Sequence, residues 1–186
     1  MFVKPSGMPY YRFLPSPLQA KLKGLVQVFI AEKDFIGCDG LQVDDDMRVT
    51  IAAQACLLLL NRPGTPFPKL RQVLVYPGAF VVERLRLEPS GVLQDQRAAL
   101  SGESWAQGQV VLSWADTVEG AAVPADGRNV VLHEFAHQLD QEKGFANGAP
   151  HLGSREAYRR WSQVMASEFA RLQAEAFHQV PTLLNF

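Results

Sequence analysis

Cysteine and histidine are scarce in this chain: two and four among 186 residues. Cys38 and Cys56 have no metal-type spacing, which argues against a disulfide scaffold and fits a reduced cytoplasmic protein. A Cys-His hydrolase is one alternative, but Cys56 sits in an apolar helical stretch and reads as core packing. Charge of one sign is missing too. A formal net charge of −1 without a Lys/Arg cluster argues against direct nucleic-acid binding; Arg84, Arg86, Arg155, Arg159 and Arg160 read as solvated faces. The longest apolar run, Ala55 to Leu60, is too short to span a bilayer, and Met1 to Pro9 lacks the apolar core of a signal peptide. The expectation is a cytoplasmic protein with no membrane partner. No internal repeat or low-complexity tract occurs.

Two of the four histidines fall in His133-Glu134-Phe135-Ala136-His137, the pattern H-E-x-x-H. Residues four apart on a helix share a face, so both imidazoles can point at one ion. Glu134, beside the first histidine, can take a proton from a water that the metal activates. The pattern reads as a zinc-dependent hydrolase, most simply a peptidase.

The surroundings support a helix from Asn129 to Asp140, free of Gly and Pro, with Asp126 or Asn129 as cap and Gly144 as stop. Val130, Leu132, Phe135, Ala136 and Leu139 give apolar cover on most sides, so the helix is expected to be buried. Two His and a Glu inside need a partner, and a cation supplies one. The bland alternative is an ordinary amphipathic helix with hydrogen-bonded histidines. Asp140 either orients the His137 ring or is a solvated charge of the last turn.

Catalytic zinc usually takes three protein ligands and keeps one open position. The run after His137 does not continue as H-x-x-G-x-x-H, so the third ligand must come from elsewhere. Downstream candidates are Glu142, Glu156, Glu168, Glu175, His151 and His178. Glu168 and Glu175, seven apart on the helical stretch Arg155–Ala176, can share a face. An exposed helix charge is the competing reading for each.

The chain reads as one domain, 1–186, with a helical part over about 14–62 and a sheet and catalytic part over about 70–176. Ser16-Pro-Leu-Gln19 has the form of a capping box and starts a helix that runs to about Lys33. A second helix is expected from Asp44-Asp-Asp46 to Leu60 or Asn61, before Pro63-Gly64. Gln72–Tyr76, Phe80–Glu83 and Gln109–Trp114 read as strands. The last is either an edge strand able to pair with a peptide backbone or an interior strand. The Gly-rich loop Gly144–Gly153 follows the motif helix directly and is expected near the site.

Several motifs agree in order with one family. Val73-Leu-Val-Tyr-Pro77, Phe80-Val-Val82, Ser101-Gly-Glu-Ser-Trp105, Gly108, Val111-Leu-Ser-Trp114 and His133-Glu-Phe-Ala-His-Gln-Leu-Asp140 together resemble the Mlc titration factor A family. Leu14-Pro15 and Ala31-Glu-Lys33 fit more loosely, and the resemblance covers roughly Met8 to Glu175. It implies an α+β, zincin-like metallopeptidase domain with N-terminal helices, a small mixed sheet and an H-E-x-x-H helix. It also implies aminopeptidase-type activity on peptides, one Zn2+ per chain, and binding to an Mlc-like transcriptional repressor. Carried over by position, His133 and His137 are zinc ligands and Glu134 is the general base.

The family's third ligand lies in an Asn/Asp-Pro-Ala-Glu-type segment, preceded by an Asp-x-Tyr segment, and this sequence has neither. Glu175-Ala-Phe177 resembles the end of the third-ligand helix, so Glu175 is assigned as the third metal ligand. Pro181–Phe186 resembles a later helix. The expectation is that residues are missing from the sequence between about Gln173 and His178, and that the chain continues beyond Phe186. A different class of function stays open: a regulatory protein that sequesters a repressor, with its peptidase chemistry secondary or lost. A structural zinc site is weaker, because such sites are rich in cysteine.

Overall fold

The computed structural model describes residues 9–62, 64–87, 93–105, 108–123, 127–144, 148–180 and 182. Six α-helices and six strands occur among them. A short helix α1 (Pro9–Phe13) leads into α2 (Ser16–Glu32), strand β1 (Asp34–Gly37) and α3 (Asp45–Leu57). Strands β2 (Gln72–Tyr76), β3 (Phe80–Leu87), β4 (Leu93–Leu100), β5 (Gly102–Trp105) and β6 (Gln109–Ser113) follow. The chain then forms α4 (Trp114–Ala122), α5 (Val130–Asp140), one 3-10 turn (Gln141–Lys143) and α6 (Arg155–Phe177). This is a mixed α+β arrangement. No helix among the described residues is long and apolar enough to cross a membrane.

The sheet has the order β1-β2-β6-β5, the first three parallel and β5 antiparallel to β6. Strands β3 and β4 form a separate antiparallel ribbon. Gln109–Ser113 is therefore an interior strand and β5 the edge, which decides between the two readings of that segment. Trp114 belongs to α4, because the Ser113 hydroxyl accepts from the Asp116 N–H and caps a helix there. Side chains alternate along a strand, so Val73, Val75, Val110 and Leu112 share one face. That face is the core face, packed with Leu22, Phe29, Ile51 and Cys56 of α2 and α3 and with Val131 and Phe135 of α5. Phe29, Phe67 and Phe135 meet edge to face or tilted, with Phe67 and Phe135 4.8 Å apart. Burial pushes the Cys56 thiol up to about 12, as suits a packing residue.

Two helix starts behave differently from each other. Asp44 accepts from the Met47 N–H at 2.8 Å and starts α3, as its acidic cluster suggested. Ser16 does not cap α2: Pro15 holds the cap position without a side-chain bond. Gln19 instead donates to the carbonyls of Leu14 and Tyr11, so its amide reaches back to acceptors rather than to an N–H. Gln54, fully buried on α3, is satisfied from both sides. Its amide nitrogen donates to the Thr50 and Thr117 carbonyls, and its oxygen accepts from Asn129 at 2.7 Å.

Candidate metal centre

Helix α5 is built from its cap downward. The Asn129 side-chain oxygen accepts from the Leu132 N–H at 2.8 Å, and its amide nitrogen donates to Gln54 and to the Gly120 carbonyl. One asparagine thus ties the start of α5 to both α3 and α4. Asp126, the other candidate cap, lies outside the described residues. Only one face of α5 is buried, with Val131, Glu134, Phe135, Gln138 and Leu139. Apolar cover on most sides was the expectation; instead His133, Ala136 and His137 open outward. The reason is that, among the described residues, the sheet, α3 and α4 pack on α5 from one side.

On the open face the Nε2 atoms of His133 and His137 stand 3.2 Å apart, with the rings near perpendicular. Two nitrogens bound to one tetrahedral zinc at roughly 2.0–2.1 Å stand about 3.4 Å from each other. The pair could hold such an ion with little movement, or share one proton between the rings. Glu134 is buried next to it, 6% exposed. Burial pushes its carboxyl up from the ordinary value; His137 lowers it in part and Glu103 raises it.

Strand β5 lies directly against this carboxylate. A Cβ placed on Gly102 would come within 2.8 Å of Glu134 Oε1. Two residues on, the Ser104 hydroxyl accepts from the Gln138 side chain at 2.8 Å. A cleft of about 340 Å3 opens beside His133, lined by Ser101, Asp116, Glu119, Asn129 and Val130 among others. The motif Ser101-Gly-Glu-Ser-Trp105 is visible in the sequence, but nothing local ties it to the helix. A glycine inside a short strand, which often marks a close approach, was the available signal.

The remaining candidates are placed elsewhere. Asp140 accepts from the Gly148 and Ala149 N–H groups, so it fastens the Gly-rich loop one turn beyond His137. Glu142 pairs with Arg62 at 2.8 Å. Glu168 and Glu175 both pair with Arg171 on α6, Glu175 at 3.6 Å. The His178 ring packs on Phe177, and His151 and Glu156 are exposed. Among the described residues no three His, Cys, Asp or Glu side chains gather to hold a metal.

The α+β frame thus presents paired imidazoles beside a buried carboxylate. The chain belongs to the glucose-regulated metallo-peptidase M90 family, whose profile matches residues 4–185. It is 38% identical to an uncharacterized protein of Synechocystis sp. over 179 residues, which is 96% of this chain and 65% of the relative. It is 32% identical to Mlc titration factor A of Salmonella typhi over 170 residues, 91% of this chain and 63% of that protein. Against Mlc titration factor A of Escherichia coli strain 55989 the identity is 31% over 179 residues, 91% and 66%. The chain therefore spans just under two thirds of the length of these relatives.

Proposed function

We propose that this chain carries the catalytic helix of a cytoplasmic, zincin-like zinc peptidase of aminopeptidase type. The observation behind the reading is the 3.2 Å approach of the two Nε2 atoms beside a buried glutamate. His133 and His137 would hold one zinc ion, and Glu175 is the proposed third ligand, which requires it to leave Arg171 and α6 to bring it to the histidine pair. When bound, zinc supplies a Lewis acid that polarises the scissile carbonyl and acidifies water. Glu134 accepts a proton from the attacking water at its carboxylate and delivers it to the departing amine nitrogen. The outer edge of β5, which ends the sheet, offers backbone groups for pairing with an extended peptide.

The test is direct. Glu134→Gln should lower turnover of an alanine anilide by about 10²–10⁴-fold while zinc remains bound. Unchanged turnover removes Glu134 as the base. His137→Ala should lose zinc affinity, measured by competition with a chromophoric chelator. Glu175→Gln should weaken zinc binding; an unchanged affinity takes Glu175 out of the ligand set.

A second reading is a regulatory protein that sequesters an Mlc-like repressor, with little chemistry. Its support is the name of the enterobacterial relatives, Mlc titration factor A. A sequestering protein keeps its effect on repressor-controlled transcription when Glu134 is Gln. A peptidase acting on the pathway loses it.

A further inference from the structure

Gly102 sits in an extended strand, opposite Leu112 of β6, and its φ lies outside the left-handed region. Conformation therefore does not demand a glycine here; any L-residue could adopt this backbone. Space does. A Cβ at this position would lie 2.6 Å from Val130 Cγ2, 2.7 Å from Glu134 Cγ and 2.8 Å from Glu134 Oε1. All three atoms belong to side chains of α5, and two of them to the glutamate.

The second contact has the same direction. Ser104 follows Gly102 by two residues on the same strand face, and Gln138 follows Glu134 by four on the helix. Two strand residues advance about 6.6 Å and four helical residues about 6 Å. Glu134 over Gly102 and Gln138 over Ser104 thus set α5 along β5 in one axial register. Neither element can retreat easily: β5 is paired to β6, and Val131 and Phe135 anchor α5 in the core.

We infer that Gly102 is a positioning residue for Glu134: its missing side chain is the space the carboxylate occupies, and Ser104 fixes the register that keeps it there. This rests on the reading of Glu134 as the proton-transferring base. A side chain at 102 displaces the Glu134 carboxylate, the end of the longer and more flexible of the two side chains it meets. Val130 must give way too, since its Cγ2 is the nearest atom at 2.6 Å, and Val130→Ala separates the two displacements.

The experiment compares Gly102→Ala with the unaltered chain, both loaded with zinc. We expect kcat on an alanine anilide to fall about 10–100-fold, the scale of an ångström-sized misplacement, with KM and zinc affinity within about twofold. Adding Val130→Ala, which removes one of the two obstructing side chains, should restore part of the loss. Should Gly102→Ala fail to fold, Ser104→Ala tests the same register and should lower kcat with KM unchanged. Full activity in Gly102→Ala overturns the inference, as does a parallel loss of zinc affinity, KM and kcat, which would mark a merely structural role. If the unaltered chain hydrolyses no peptide, the proposed function fails. The positioning role is then decided by a crystal structure of Gly102→Ala: a Glu134 carboxylate moved by about 1 Å or more supports it, and an unmoved one sinks it.

Discussion

Helices α5 and α6 are stabilised in opposite ways. The eleven residues of α5 bury Val131 and Phe135 completely and take their cap from a network that reaches two other helices. The 23 residues of α6 bury none of their side chains, and Val164, Met165 and Phe169 stand exposed. What α6 has is local: a Ser154 cap on the Ala157 N–H and the Arg171 pairs with Glu168 and Glu175. Length and good helix-forming residues make α6 the more obvious helix in the sequence. Packing makes α5 the more rigid one, and rigidity is what the proposed metal site on it requires.

Hydrogen exchange should show the contrast at its largest. Amides of α5 are expected to open only with global unfolding, whereas those of α6 open by local fraying, a gap of several kcal/mol. Equal protection in the two helices would mean that α6 is covered in solution. Next in size, Phe135→Ala should destabilise the protein by about 3–5 kcal/mol in urea titration, because it removes the ring that Phe29 and Phe67 pack against. The caps come third. Asn129→Ala should cost about 2 kcal/mol, since it strands Gln54 and the Gly120 carbonyl as well as the Leu132 N–H, whereas Ser154→Ala should cost about 0.5 kcal/mol. Equal losses would show that the asparagine network adds nothing beyond the cap. The smallest effect belongs to Phe169→Ala, expected within about 0.5 kcal/mol and read by thermal melting.

How much could be read from the residues alone follows the same division. The motif helix, the α3 start at Asp44 and the strand Gln72–Tyr76 each carry a signal within a few residues and are present, and of the two cap candidates of the motif helix Asn129 takes the position. Ser16 misled because a capping sequence permits a capping bond without enforcing it; here Pro15 takes the position. Strand β1 and helix α4 were too short to declare themselves. The histidine face is exposed although apolar residues occur around most of α5, because among the described residues the sheet, α3 and α4 cover the helix from its other side.

The spacing of His133, Glu134 and His137, and with it the convergence of two imidazoles, is written in the residues, because the α-helix repeats every 3.6 residues wherever it forms. So are α2, α3, α5, β2 and β6, since their signals are periodic and local. Packing of whole elements sets the rest: β5 is the sheet edge, Gly102 leaves room for the Glu134 carboxylate, and Gln54 holds the cap of α5. Glu134 and Gly102 are 32 positions apart and Asn129 and Gln54 are 75. Contacts at such separations leave no periodicity in the chain; they arise when whole elements pack, and packing is where the surroundings of the proposed base were set.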